Sequence, residues 1–211
     1  MPELPEVETT RRGLEPLLSG HTILALEVRN ARLRWPVPPE LSTELKGARI
    51  ERLGRRAKYL LLETDRRDIL LHLGMSGSLR HCAPETPLRQ HDHLVLHLDN
   101  GFQIRLHDPR RFGCCLPLPE GDITHPLLAD LGPEPLETGF DGPHLFRHSR
   151  GRRTPVKVFI MDQAIVVGVG NIYATEALFL AGIRPGRAAG RVSRVEYERL
   201  AQRIREVLAD P

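Results

Sequence analysis

Apolar residues recur at helical spacing along the first eighteen positions. Leu4, Val7, Leu14, Leu17 and Leu18 define one stripe, which predicts an amphipathic helix over residues 3–18. Glu3, Glu6 and Glu8 occupy its first turns, where the helix dipole favours anions, and Gly20 stands where a C-terminal cap is expected. The pattern then shifts to period two. Segments 22–29, 47–53, 57–64 and 68–73 read as strands. Residues 92–98 and 102–107 alternate on either side of Asp99-Asn100-Gly101, a strong hairpin signal. The first half is therefore expected to be an all-β sandwich or barrel behind an N-terminal helix. Residues 117–155, rich in Pro and Gly, read as a linker with short helices. Beyond them the helical period returns. A glycine turn, Gly168-Val169-Gly170, leads into a helix with Asn171 as its expected N-cap and Gly182 as its end. Ser193 and Glu196 form a capping box for a last helix running to about Leu208.

Composition narrows the classes. The chain has 211 residues, 40% of them hydrophobic, enough for one large domain or two modest ones. No run of 18 apolar residues occurs, and the acidic N-terminus is not a secretory signal, which favours the cytoplasm. Three cysteines, Cys82, Cys114 and Cys115, include no C-x-x-C pair, so neither a disulfide framework nor a four-ligand zinc site is expected. His91 and His93 have a spacing that can bind metal, but two residues sharing one strand face is the simpler reading. The net charge is only +3, yet it is unevenly spread. From residue 142 to 161 there is no acid, whereas Arg147, Arg150, Arg152, Arg153 and Lys157 all fall there, which fits polyanion binding as well as a solvated basic loop. Only Lys46, Lys58 and Lys157 are lysines among 30 basic residues, a hint that a Lys is kept for chemistry Arg cannot perform.

Pro2 carries the sharpest chemistry. Removal of Met1 would expose a secondary α-amine, whose pKa of roughly 7.7–8.0 compares with about 10.4 for a lysine side chain. Such an amine is some hundredfold more available as a nucleophile at neutral pH (an order-of-magnitude figure from those values). Attack at a sugar C1′ would yield a charged iminium that acidifies the C2′ proton and opens a route to elimination. Taken alone, a proline at position 2 merely starts a helix.

Five strings remove that ambiguity: MPELPEVE (1–8), RRAKYLLLE (55–63), HLGMSGSLR (72–80), HDPRRFG (107–113) and VVGVGNIYATEALF (166–179). Together, and in this order over the whole chain, they resemble the formamidopyrimidine-DNA glycosylases. The resemblance implies an α+β protein: an N-terminal helix and two-sheet β-sandwich over 1–130, then a helical helix-two-turn-helix domain over 131–211. It implies a base-excision-repair glycosylase and AP lyase that removes oxidised purines, 8-oxoguanine and formamidopyrimidines, through a Schiff base on Pro2. Glu3 would be the general acid/base, and Lys58 would serve β-elimination and phosphate binding. Glu6 would touch the damaged base. Met75, Arg110 and Phe112 would fill the void left by an extruded nucleotide. His91, Arg152, Lys157 and Asn171 would bind backbone phosphates. The implied partner is double-stranded DNA bearing an oxidised purine or abasic site, bound by a monomer at the bacterial nucleoid.

The family usually continues into a C-terminal four-cysteine zinc finger, whereas this sequence stops at Asp210-Pro211. No zinc or other cofactor is therefore expected, and the sequence reading expects weaker action on intact oxidised bases than on abasic sugars. Two other readings stay open: an endonuclease VIII-like glycosylase for oxidised pyrimidines, and a non-catalytic binder of damaged DNA.

Overall fold

The computed structural model describes residues 2–121 and 124–209. Met1, whose removal the Pro2 chemistry requires, and the chain end at Asp210-Pro211 lie outside the described residues. The chain forms two compact units. One comprises Pro2 and Val7–His125; the other comprises Glu3–Glu6 and the chain from Pro126 onward. A division by sequence position alone keeps residues 3–6 with the first unit.

The first unit is the sandwich. After helix α1 (Leu4–Leu18) come β1 (Ile23–Val28), a short α2 (Leu41–Glu44), β2 (Ile50–Arg56), β3 (Tyr59–Thr64), β4 (Ile69–His72), β5 (Ser78–Cys82), β6 (Asp92–Leu98), β7 (Gln103–His107) and β8 (Cys114–Pro117). They make two four-stranded sheets, ordered β1-β6-β7-β5 and β2-β3-β4-β8, with antiparallel pairing throughout. Leu26, Leu94, Leu96 and Ile104 from one sheet and Leu53, Leu62, Ile69 and Cys115 from the other share one core with Val7, Leu14 and Leu18 of α1. Leu17, expected on that helical stripe, is instead 39% exposed. At 3.6 residues per turn it lies roughly 80° from the direction of Val7, outside the buried strip. The predicted hairpin forms β6 and β7, with Gly101 at φ +83° in its turn. Strands β5 and β8 were not legible from the pattern: Ser78–Cys82 does not alternate in burial, and Cys114–Pro117 spans four residues.

The second unit is helical, with α3 (Pro126–Ala129), α4 (Gly142–Ser149), α5 (Val156–Met161), α6 (Asn171–Ala181) and α7 (Arg194–Ala209). Its core joins Leu4 to Phe140, Leu145, Phe159, Leu178, Tyr197 and Ile204. Gly182 closes α6 at φ +67°, a left-handed conformation that glycine adopts without strain. The capping box of α7 forms in both directions: Ser193 N donates to Glu196 Oε2 at 2.8 Å, and Glu196 N to Ser193 Oγ at 3.3 Å. One expectation is corrected. The N-cap of α6 is Gly170, not Asn171, which is the first helical residue. The side chain that caps this helix comes from Glu3.

Candidate functional site

In the second unit, Glu3 is 2% exposed and accepts three backbone N–H bonds. Its Oε2 receives Gly170 N at 2.8 Å and Tyr173 N at 3.3 Å, and its Oε1 receives Ile172 N at 2.9 Å. A carboxylate thus occupies the electropositive end of α6. Gly170 is required there, because a Cβ would lie 2.3 Å from Glu3 Cδ. Glu6 completes the arrangement. Its Oε2 accepts the backbone N–H of Glu3 at 2.8 Å, the return half of a capping box on α1, and its Oε1 accepts the Tyr173 hydroxyl at 2.9 Å. Burial and the Glu6 carboxylate push the Tyr173 phenol up to about 12. Sequence reasoning missed Tyr173, although it sits inside the GNIYATE string that drew attention to Asn171.

Asn171 is exposed at the first position of α6, directly after Gly168-Val169-Gly170. Arg152 is exposed too; its Nε donates to His148 O at 2.9 Å and its guanidinium lies 5.4 Å from the Phe159 ring centre. Lys157 is half-buried on α5.

In the first unit, Pro2 is half-buried and Lys58 is 7% exposed. Lys58 lies in the two-residue turn between β2 and β3, where Arg56 pairs with Tyr59 and Ala57 takes φ +53°. Arg55 secures this turn by donating through Nη1 to Ala57 O at 2.9 Å and through Nε to Glu8 Oε2 at 3.0 Å. Hydrogen bonds from Arg11, Arg55 and Arg12 hold the Glu8 carboxyl at about 2, against the penalty of its partial burial. The Lys58 turn is thereby tied to α1.

Met75 and the Arg110–Phe112 loop, 35 residues apart in sequence, converge on one open pocket of about 680 Å³, lined also by Arg32, Leu33, Arg34, His72, Gly74 and Arg111. Two loops build it. Gly74, at φ +65°, lets its loop pass so close to the other that a Cβ would meet the Phe112 carbonyl carbon at 2.5 Å. Asp108, fully buried, accepts Gly113 N at 2.8 Å, and Arg111 takes φ +56°, so the Pro-Arg-Arg-Phe loop is a fixed turn. Phe112 and Met75 are 42% and 40% exposed, and the Arg110 guanidinium lies 5.0 Å from the Phe112 ring centre. Burial, reinforced by Lys58 and Arg34, pushes His72 down to about 4, so it is neutral near pH 7. His91 is half-buried, its ring edge-on to His93 and His107.

The residues present do not fit a structural zinc. Cys82, Cys114 and Cys115 are all buried, and burial pushes the thiols of Cys114 and Cys115 up to about 12, the opposite of a thiolate ligand. Among the described residues no group of three His, Cys, Asp or Glu side chains could hold a metal ion. No helix of the described residues is long and apolar enough to cross a membrane.

The two units define a class: a β-sandwich with an N-terminal helix, followed by a helical region of the helix-two-turn-helix kind. Residues 1–115 match the family described as Formamidopyrimidine-DNA glycosylase N-terminal domain, and residues 131–211 match the Formamidopyrimidine-DNA glycosylase H2TH domain. A formamidopyrimidine-DNA glycosylase of Stenotrophomonas maltophilia is 60% identical over 208 residues, covering 99% of this chain and 77% of that protein. One from Thioalkalivibrio sulfidiphilus is 59% identical over 210 residues, covering 100% of this chain and 78% of its own length. Among solved structures, the MutM (Fpg) protein of Thermus thermophilus superposes with a TM-score of 0.87 at 39% identity, covering 99% of this chain and 75% of that one. The Lactococcus lactis Fpg mutant G226P, solved in complex with Fapy-dG DNA, gives 0.89 at 32% identity, covering 99% and 77%. The chain belongs to the formamidopyrimidine-DNA glycosylase family, enzymes of DNA repair with glycosylase activity.

Proposed function

We propose that the protein removes oxidised purines from double-stranded DNA and cleaves the resulting abasic strand, with processed Pro2 as nucleophile. The α-amine of Pro2 attacks C1′ and loses its proton, and the C1′–N bond to the damaged base breaks as the base takes up a proton. Ring opening leaves an iminium between Pro2 and the sugar. Loss of the C2′ proton then expels the 3′ phosphate by β-elimination, and hydrolysis frees the amine. Glu3, peptide-bonded to Pro2, moves the proton at the sugar or base. Lys58 serves the elimination and holds phosphate. Glu6 is assigned to the damaged base through the carboxylate that Tyr173 orients. His91, Arg152, Lys157 and Asn171 hold backbone phosphates, Asn171 beside the bare glycine turn at the head of α6. In this reading residues 1–130 carry the chemistry, residues 131–211 grip DNA, the protein acts as a monomer on nucleoid DNA, and the steps above draw on protein groups alone.

The observation that carries this reading is the convergence of Met75, Arg110 and Phe112 on one pocket. An enzyme that extrudes a nucleotide must refill the stack, at a cost of a few kcal/mol per unstacked step. Two half-exposed apolar side chains with a guanidinium beside them suit that task. A non-catalytic binder would share the wedge, so borohydride trapping decides. The processed protein should become covalently linked to 8-oxoguanine or abasic duplex on reduction, and protein retaining Met1 should not. Equal trapping by Met1-bearing protein would overturn the N-terminal mechanism. An oxidised pyrimidine duplex belongs in the panel, because the Lactococcus lactis Fpg has been crystallised with such DNA. Preference for that substrate would favour the endonuclease VIII-like reading.

A further inference from the structure

Nine residues line the pocket of the first unit, among them four arginines, Arg32, Arg34, Arg110 and Arg111, and none of the nine is an acid. All four are exposed. Most other arginines of this sandwich are neutralised: Arg11, Arg12 and Arg55 by Glu8, Arg29 by Glu27, Arg52 by Glu63, Arg67 by Glu44, and Arg80 and Arg105 by Asp92. Among the described residues, none of the four pocket arginines forms an ion pair within 4.0 Å. Unneutralised positive charge gathered on one open concavity lowers the free energy of a polyanion there, and guanidinium pairs with phosphate bidentately.

Arg32 and Arg34 reach this pocket from the segment between β1 and α2, which carries none of the residues assigned above. That segment is held in place at several points. Leu33, between the two arginines, is buried in the sandwich core, so its neighbours face outward. Arg29 N and Asn30 N both donate to His93 O, and Arg34 N donates to Gly113 O at 3.1 Å. The last bond stitches the segment to the residue that follows Phe112. The backbone that carries the two arginines is therefore fixed relative to the wedge. The Arg34 guanidinium rests 4.7 Å from the Trp35 ring centre, which limits its freedom before any ligand arrives.

We propose that Arg32 and Arg34 form a second phosphate clamp, binding the DNA backbone alongside the step into which Phe112 inserts. This rests on the proposed function and adds to it the part of the first unit that grips a duplex while the wedge is seated. Each phosphate neutralised releases counterions, so the clamp has a defined signature in salt dependence.

The test measures Kd for a duplex containing a tetrahydrofuran abasic analogue at four or more salt concentrations. Wild type, Arg32→Ala/Arg34→Ala and, as an exposed control on α7, Arg194→Ala are compared, with thermal unfolding confirming that each is folded. The double variant should lower the slope of log Kd against log salt by about two, close to 0.9 per lost phosphate contact. Arg194→Ala should leave the slope unchanged. Arg34→Lys, which keeps the charge, should retain most of the slope. An unchanged slope in the double variant, or an equal loss in Arg194→Ala, would overturn the clamp. If wild type neither binds this duplex nor is trapped on a duplex with an aldehydic abasic site, it is the proposed function that fails.

Discussion

Leaving a phenylalanine or methionine wholly in water forgoes about 1.5–3 kcal/mol, and Met75 and Phe112, both about two-fifths exposed beside Arg110, forgo part of that. At the scale of the residue, the proposed function would bury both side chains in the duplex. In the same proposal a base left without its pairing partner needs donors, and Arg110, which lines the same pocket, would offer them. Arg110→Ala is expected to reduce discrimination between cytosine and adenine opposite the lesion by about 1–3 kcal/mol, while the salt slope changes by one unit at most. Single-turnover rates on the two duplexes measure this, and an unchanged preference for cytosine would remove Arg110 from that role. The identities of Met75, Arg110 and Phe112 were legible in the sequence through the HLGMSGSLR and HDPRRFG strings. The roles of Gly74 and Arg34 in shaping the pocket were not, because each acts on a loop distant in the chain.

Among the elements, α6 shows how local signals succeed and fail. Its C-terminus at Gly182 and the capping box of α7 were readable, since the groups involved lie within a few residues of one another. Its N-terminus was misread because the capping carboxylate belongs to Glu3, 167 residues from Gly170. No local pattern reports such a partner. Glu3→Ala should strip three N–H bonds from the head of α6 and cost about 2–3 kcal/mol. Hydrogen exchange at Ile172 and Tyr173 should accelerate by at least tenfold, with the amides of α7 unaffected. Equal acceleration in both helices would mean that the whole unit, not the cap, depends on Glu3. Glu3→Gln, which retains one acceptor, should fall between the two.

Over the whole molecule, the shifted groups set the response to acid. Glu8 and Glu196 are lowered from 4.5 to about 2, chiefly by hydrogen bonds from Arg11 and from Ser193 N respectively. Each contributes stability that is present above pH 4.5 and is lost as pH falls through about 2. His72 is lowered from 6.5 to about 4, chiefly by burial, so the unfolded chain protonates at this position before the folded chain does. Its contribution is complete above pH 6.5 and disappears as pH falls toward 4. In both windows the unfolded state binds more protons, so stability falls with pH from 6.5 downward. Urea midpoints at pH 7.5, 5 and 3 should decrease in that order. Glu8→Gln should flatten the lower limb and His72→Gln the upper one; a profile unchanged by either would show that these groups do not set it.

The sequence by itself determined the family, the candidate nucleophile and the sandwich-then-helices order. Those depend on local periodicity, on turn and capping chemistry, and on strings whose residues are neighbours in the chain. Tertiary structure alone decided what the separated residues do together. It made Glu3 the cap of α6, oriented Glu6 through Tyr173, and brought Met75 and Phe112 into one pocket with Arg32 and Arg34 beside them. The physical reason is that hydrogen bonds, burial and charge neutralisation depend on distance in space, which a chain of 211 residues specifies only once its sheets and helices have packed.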